Sequence, residues 1–236
     1  FLVNVASENP DVRSRAIKRL GQELAHGEKL RANYLVLHPG SAGGAPRDIG
    51  IARITEGLRI ALEPFGPDAP RLLVETMAGQ GSMIGSNFGE IASILEQADR
   101  PDQLGVCFDT AHAFISGYDI RGYDGYDAVM TEFDRVVGYR HIKVFHVNDA
   151  KTHLGSGNDR HANIGEGRIG LQMFHALVRD ARFSDVPMIL EIPDRDTKSE
   201  PNLRLLKEFR LRGDPVPVTR ENDPELVQMS LTDIPT

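Results

Sequence analysis

The chain has a single cysteine, Cys107, no excess of basic over acidic side chains, and no run of about 18 apolar residues such as a membrane-spanning helix requires. One cysteine excludes an internal disulfide and suits a reducing compartment, so a cytoplasmic location is expected. Phe1 to Pro10 is short on cations and soon turns polar, unlike a secretory leader, and no membrane partner is expected. The formal net charge of −7 argues mildly against a nucleic-acid partner, which usually meets a basic face. That argument loses force if the acidic residues hold divalent cations, because ligand carboxylates enter the formal charge and their cations do not. What is present is ordinary for a globular protein: 236 residues, 40% hydrophobic and 26% charged, enough for one large domain or one domain plus a tail.

Short apolar runs alternate with amphipathic stretches. Asn9-Pro10 is a helix start, with a capping residue followed by proline at the first helical position, and Ala16, Ile17, Leu20 and Leu24 recur at helical spacing to about His26. Strands are predicted at Tyr34–Leu37, Arg71–Val74, Leu104–Phe108, Ile142–Phe145 and Met188–Leu190. Between and after them lie helices over about 48–62, from Asn87 through Leu95, over about 126–137, over 171–178 and over about 202–210. Near-continuous apolar strands alternating with helices predict an α/β fold with a parallel sheet covered by helices, of the (β/α)8 TIM-barrel class with about five of eight βα units in this chain. The barrel domain is expected over 1–212, N-terminally incomplete, and the Pro-rich polar stretch 213–236 reads as a tail.

Each predicted strand runs into a residue able to bind metal: His38, Glu75, Asp109, His146 and Glu191. In a (β/α) barrel the C-terminal strand ends converge on one face, where active sites form. Taken singly, each has a bland role. His38 or His146 could be a structural histidine, Asp109 a helix cap, and Glu75 or Glu191 the partner of a loop arginine. Five in register are much harder to dismiss, since clustered carboxylates need cations. Mixed N and O donors favour Zn, Mn or Fe over Ca or Mg. His112 follows Asp109 by three, and shares its face if a helix begins there. Asp159 and His161 alternate, as two side chains on one side of an extended segment do. His112, Asp159 and His161 could thus hold a further metal. Asp149 and Glu166 are read as braces of a ligand or a glycine turn. His26, His141, His153 and His175 are read as solvent-facing or structural, and Cys107 as core.

The segments Leu37-His38-Pro-Gly-Ser41, Glu75-Thr-Met-Ala-Gly-Gln-Gly-Ser82, Gly105-Val-Cys-Phe-Asp109-Thr-Ala-His112-Ala-Phe, Gly117-Tyr-Asp119, His146-Val-Asn-Asp149-Ala-Lys151, Asp159-Arg-His161 and Gly165-Glu-Gly167 together resemble the endonuclease IV family of apurinic/apyrimidinic endonucleases. The likeness covers roughly residues 1–212. It implies a zinc-dependent endonuclease of DNA base-excision repair, a hydrolase that cuts the phosphodiester bond 5′ to an abasic site in double-stranded DNA, leaves a 3′-hydroxyl and removes 3′-blocking groups. It implies three zinc ions, with Mn as a substitute, and a monomer. By motif, His38 and Glu75 bind the first zinc. Glu75, Asp109, His146 and Glu191 bind the second, with Glu75 bridging, and His112, Asp159 and His161 bind the third. Glu75 and Glu191 are the residues carried over as catalytic, and Phe1 and Leu2 as substrate contacts at the end of a loop whose bulky side chains enter the duplex.

The departures are specific. The family has eight strands where five are read here, and its first zinc takes a further histidine from a strand that would precede Phe1. Ala42 stands where the family usually has a second histidine. The chain begins with Phe, and the expectation is that about three βα units, on the order of 70 residues, are missing from it. Two other classes compete. A xylose-isomerase-like sugar isomerase or epimerase also rings a divalent metal with strand-end ligands, but does not need His112, Asp159 and His161. A non-catalytic barrel would bind DNA with metal and not turn it over.

Overall fold

The alternating runs emerge as alternating β and α elements in the computed structural model, which describes residues 3–211. Phe1, Leu2 and the predicted 213–236 tail lie outside the described residues. Helix α1 spans Pro10–Lys29. It starts because Asn9 Oδ1 accepts the otherwise unpaired N–H groups of Asp11 (2.9 Å) and Val12 (3.2 Å). Its buried stripe of Ala16, Leu20, Leu24 and Gly27 is the face read from the sequence, extended by a turn. Strand β1 is Tyr34–Leu37, α2 Arg47–Leu62, β2 Arg71–Glu75, α3 Phe88–Ala98 and β3 Leu104–Asp109. There follow α4 Thr110–Ser116, α5 Gly122–Val136, β4 Ile142–His146, β5 Asp149–Ala150, β6 His161–Ala162, α6 Leu171–Arg179, β7 Met188–Ile189 and α7 Arg195–Leu211.

Five strands form one parallel sheet in the order β1-β2-β3-β4-β7, with helices packed on its outer side. Helix α7 starts at Arg195 rather than near Asn202 and carries Pro201 inside it. The proline in its first half hides this extension from a sequence reading, since proline normally marks a helix start.

The period of two along each strand sorts the sheet into two faces. Leu35, Leu72, Val74, Leu104, Val106, Phe108, Ile142 and Phe145 pack outward into the large core beneath the helices. Tyr34, Val36, Leu73, Cys107 and Val144 form a smaller cluster on the opposite, inner wall. Strand β4 departs from strict alternation. The β3–β4 register passes from Val106↔Ile142 to Cys107↔Val144, so Lys143 is an extra residue. This bulge changes the parity of β4 after Lys143. With Ile142 and Phe145 both outward, His146 falls on the inner side, opposite Asp109.

Candidate metal centre

The parity of the strands decides which side chains meet. Glu75 follows Leu73 by two, Asp109 follows Cys107 by two and His146 follows Val144 by two, so all three rise from the inner wall at its C-terminal rim. Glu75 and Asp109 are almost wholly buried. Glu75 Oε1 lies 2.8 Å from His146 Nδ1, and Glu75 Oε2 lies 3.0 Å from His38 Nε2. Glu191, two residues beyond β7, places Oε2 3.2 Å from His146 Nδ1. Ligand atoms of Glu75, Asp109, His146 and Glu191 all fall within 4.8 Å of one another. All five strand-end residues therefore come to one place. His38 and Glu191 sit at its open side, with side chains 53% and 36% exposed.

The three loop residues gather beside them. Asp109 is both a cap and a site residue: Oδ1 accepts the His112 N–H (2.8 Å) and starts α4, while Oδ2 faces the cluster. The cap brings His112 in on the first turn. Asp159 Oδ2 lies 3.2 Å from His112 Nε2, and Oδ1 lies 3.3 Å from His161 Nε2. His161 is held by β6, which pairs antiparallel with β5, Ala150 opposite His161. Asp109, His112 and His161 also bring ligand atoms within 4.8 Å, so Asp109 stands between the two groups.

The histidine rings are oriented from behind. His112 Nδ1 lies 2.9 Å from the Thr76 carbonyl oxygen and His161 Nδ1 lies 2.9 Å from that of Glu191. Each contact places the proton on Nδ1 and turns Nε2 inward, the arrangement metal-binding histidines adopt. Those two Nε2 atoms, with Glu75 Oε2, are buried and make no well-aligned hydrogen bond, although Asp159 and His38 lie 3.0 to 3.3 Å from them. Buried polar atoms without well-aligned partners are costly, and here three point into one nest of carboxylates and imidazoles. The residues fit divalent cations, and the mixed N and O donors suit zinc or manganese.

Titration in the metal-free chain follows from the same contacts. Burial works against charge on Glu75, but hydrogen bonds from His112, His146 and His38 outweigh it and hold the carboxyl well below the usual range. Burial likewise opposes charge on Asp159, and His112 and His161 prevail and lower it. The hydrogen bond from His146 lowers Glu191. The imidazoles move the other way. Burial opposes the cation, yet Asp109, Asp159 and Glu75 raise His112 well above its ordinary value, and Cys107, Glu191 and Glu75 raise His146. His161 is pushed up to about 8, against burial, chiefly by Asp159.

Several residues that order the centre carry little signal in the sequence. Thr76 Oγ1 accepts the Asp109 N–H (2.9 Å), and Asn148 joins Asp109 to Glu191. Asp149, read as a brace, is fully buried and accepts four backbone N–H groups, from Ala150, Gly165, Gly167 and Ile169. Gly167 approaches so closely that a Cβ there would lie 2.4 Å from Asp149 Oδ1. Glu166 points away to Asn163 and Lys198. The Asn148-Asp149 pair, beginning two residues after the strand-end His146, is the available clue. His26 and His153 are exposed, and His175 is buried against Tyr123 (3.0 Å) and Phe209, away from the centre. Cys107 is fully buried and its thiol is pushed up to about 12 by burial.

Residues 1–209 match the model of a family described as xylose isomerase-like TIM barrel. The chain is 41% identical over 206 residues to a protein of Chloroflexus aggregans named "Probable endonuclease 4", covering 87% of this chain and 72% of that one. It is 37% identical over 211 residues to the protein of the same name from Geotalea daltonii, covering 89% and 74%. The crystal structure of endonuclease IV from Thermus thermophilus superposes with a TM-score of 0.77 at 34% identity, covering 88% of this chain and 72% of the other.

Proposed function

This chain belongs to the endonuclease IV family, and from that premise we propose that it carries the metal centre of a zinc-dependent AP endonuclease of DNA base-excision repair. Its reaction is hydrolysis of the phosphodiester 5′ to an abasic site in duplex DNA, leaving a 3′-hydroxyl, and release of 3′-blocking groups. The observation that supports this best is the joining of two ligand groups, His38, Glu75, Asp109, His146 and Glu191 with His112, Asp159 and His161, around buried atoms that lack well-aligned partners. An isomerase of the same fold, holding one or two metals, does not need the second group, and nothing in the site favours that reading.

In this reading His38 and Glu75 would hold one zinc, Glu75, Asp109, His146 and Glu191 a second, and His112, Asp159 and His161 a third, with Mn as a substitute. Bound cations supply Lewis-acid stabilisation of the charge that develops on a phosphoryl group. The protein's own part is positional. Glu75 faces His38 with one oxygen and His146 with the other, so it would belong to both of those ligand sets. Glu191 stays ionised at the open side of the centre, where it can accept a proton from a water approaching the phosphorus. Thr76 and Glu191 carbonyls fix the tautomers of His112 and His161. Phe1 and Leu2 are proposed duplex contacts. The acidic balance of the chain is no obstacle, because the centre's carboxylates would be neutralised by the ions. A monomer in the cytoplasm fits this role and the lone buried Cys107, and no helix among the described residues is long and apolar enough to cross a membrane.

The test is incubation of the zinc-loaded protein with a duplex bearing one tetrahydrofuran abasic analogue. The expected product is a single cut on the 5′ side whose 3′ end a polymerase extends, abolished by chelator and restored by zinc. Cutting that survives metal removal, or no cutting by the loaded chain completed with the N-terminal βα units its relatives carry, overturns the reading.

A further inference from the structure

Two adjacent buried residues, Asn148 and Asp149, sit directly past β4 and turn in opposite directions. Neither is a proposed ligand. The Asn148 side chain spans the strand ends. Its Nδ2 donates to Asp109 Oδ2 (2.7 Å), and its Oδ1 accepts the N–H of Glu191 (2.7 Å). The Asn148 backbone is itself locked by Thr110 Oγ1, which accepts its N–H (2.9 Å) and donates to its carbonyl (2.7 Å). One amide group therefore ties the carboxylate at the end of β3 to the main chain of Glu191 just past β7.

The Asp149 side chain serves the following segment. Oδ2 accepts from Gly165 (2.9 Å) and Gly167 (3.1 Å), and Oδ1 from Ile169 (3.0 Å) and Ala150 (2.8 Å). The β5–β6 pairing, Lys151 N–H to the Arg160 carbonyl (2.8 Å) and Arg168 N–H to the Ala150 carbonyl (2.8 Å) tie the same segment down. This segment carries Asp159 and His161. Four donors converging on one fully buried carboxylate make it the hub of that loop, and an amide in its place would turn an N–H₂ toward two of the donors.

We propose that Asn148 and Asp149 are positioning residues for two different ligand groups: Asn148 sets the geometry of the strand-end ligands Asp109 and Glu191, and Asp149 sets that of the loop ligands Asp159 and His161. The assignment rests on the proposed metal-binding reading. It makes the Asn-Asp pair the device that holds two ion sites in register, since both residues hang from one strand end. Asp109 and the Glu191 carbonyl touch both groups, so the separation is one of degree.

The experiment measures metal binding, apart from turnover. The 236-residue chain is stripped by chelator and titrated with Zn²⁺ against a chromophoric competitor, with metal content by mass spectrometry and folding followed by circular dichroism. Glu191→Gln and Asp159→Asn mark which class of bound zinc belongs to which group. Asn148→Ser is expected to weaken the class marked by Glu191→Gln roughly 10- to 100-fold, the usual effect of losing a residue that orients a ligand, and to weaken the other class much less. Asp149→Asn is expected to do the reverse. Thr110→Val, which frees the Asn148 backbone, and Gly167→Ala, which pushes the loop off Asp149, carry the same two expectations if a first variant does not fold. Variants that weaken both classes alike, or neither, overturn the assignment while leaving the metal centre standing. A wild-type chain that binds no zinc overturns the proposed function and the assignment together.

Discussion

Zinc uptake by the metal-free protein should expel protons in a number fixed by the centre. Without metal, the cations that offset the carboxylates are the imidazoles themselves. His112 and His146 are raised above the ordinary imidazole value, and His161, at about 8, is about nine-tenths protonated at pH 7. Glu75, Asp159 and Glu191 are lowered and bring no protons of their own. The protons sit on the nitrogens that face the carboxylates, His146 Nδ1 and the Nε2 atoms of His112 and His161. Metal must displace them, because only neutral imidazole binds it. Saturation is therefore expected to release about one proton more per chain at pH 7 than near pH 9, where His161 has already lost its own. Isothermal titration calorimetry in buffers of different ionisation enthalpy reads this number directly. A release that does not change between pH 7 and 9 would refute the electrostatic account.

Other consequences can be checked with the same material. Protonated His161 stabilises the metal-free fold by on the order of 2 kcal/mol. Its folded value of about 8 lies above the unfolded one, so this contribution is full below about pH 6.5 and is lost as pH rises through 8, which urea titrations of the chelated protein across that range should show. Glu75→Gln leaves His38, His112 and His146 facing a neutral amide. The variant should lose about 3 to 5 kcal/mol of metal-free stability, as breaking a buried ion pair does, together with most of its zinc. Cys107 should resist alkylation in the native protein from pH 7 to 9 and react once per chain in denaturant, and ready modification of the native thiol would contradict its burial. Asn9→Ala removes the acceptor that caps α1 and should cost about 1 kcal/mol by thermal or chemical unfolding.

The ligand types and their order are legible because each strand is a short apolar run that stops at a polar residue, and a parallel barrel puts all such stops on one rim. His112 is legible through its spacing from Asp109, which is both its helix cap and its neighbour in the site. The start of helix α7 is not, because Pro201 is a strong local signal that packing overrides. Asp149 reads as a brace, but its four donors come from residues up to 20 positions away, a closeness that no local pattern encodes.

The order of β and α elements and the chemical identity of every proposed ligand belong to the sequence, since they follow from periodicity and residue type. Tertiary structure alone decided that His146 joins them. Strict alternation from Ile142 would have turned it outward, and only pairing with β3 accommodates Lys143 as an extra residue and restores the parity. It alone decided, too, that Asn148 and Asp149 hold the strand-end and loop groups in place, because hydrogen bonds between distant segments depend on where the chain returns, and local spacing does not record that.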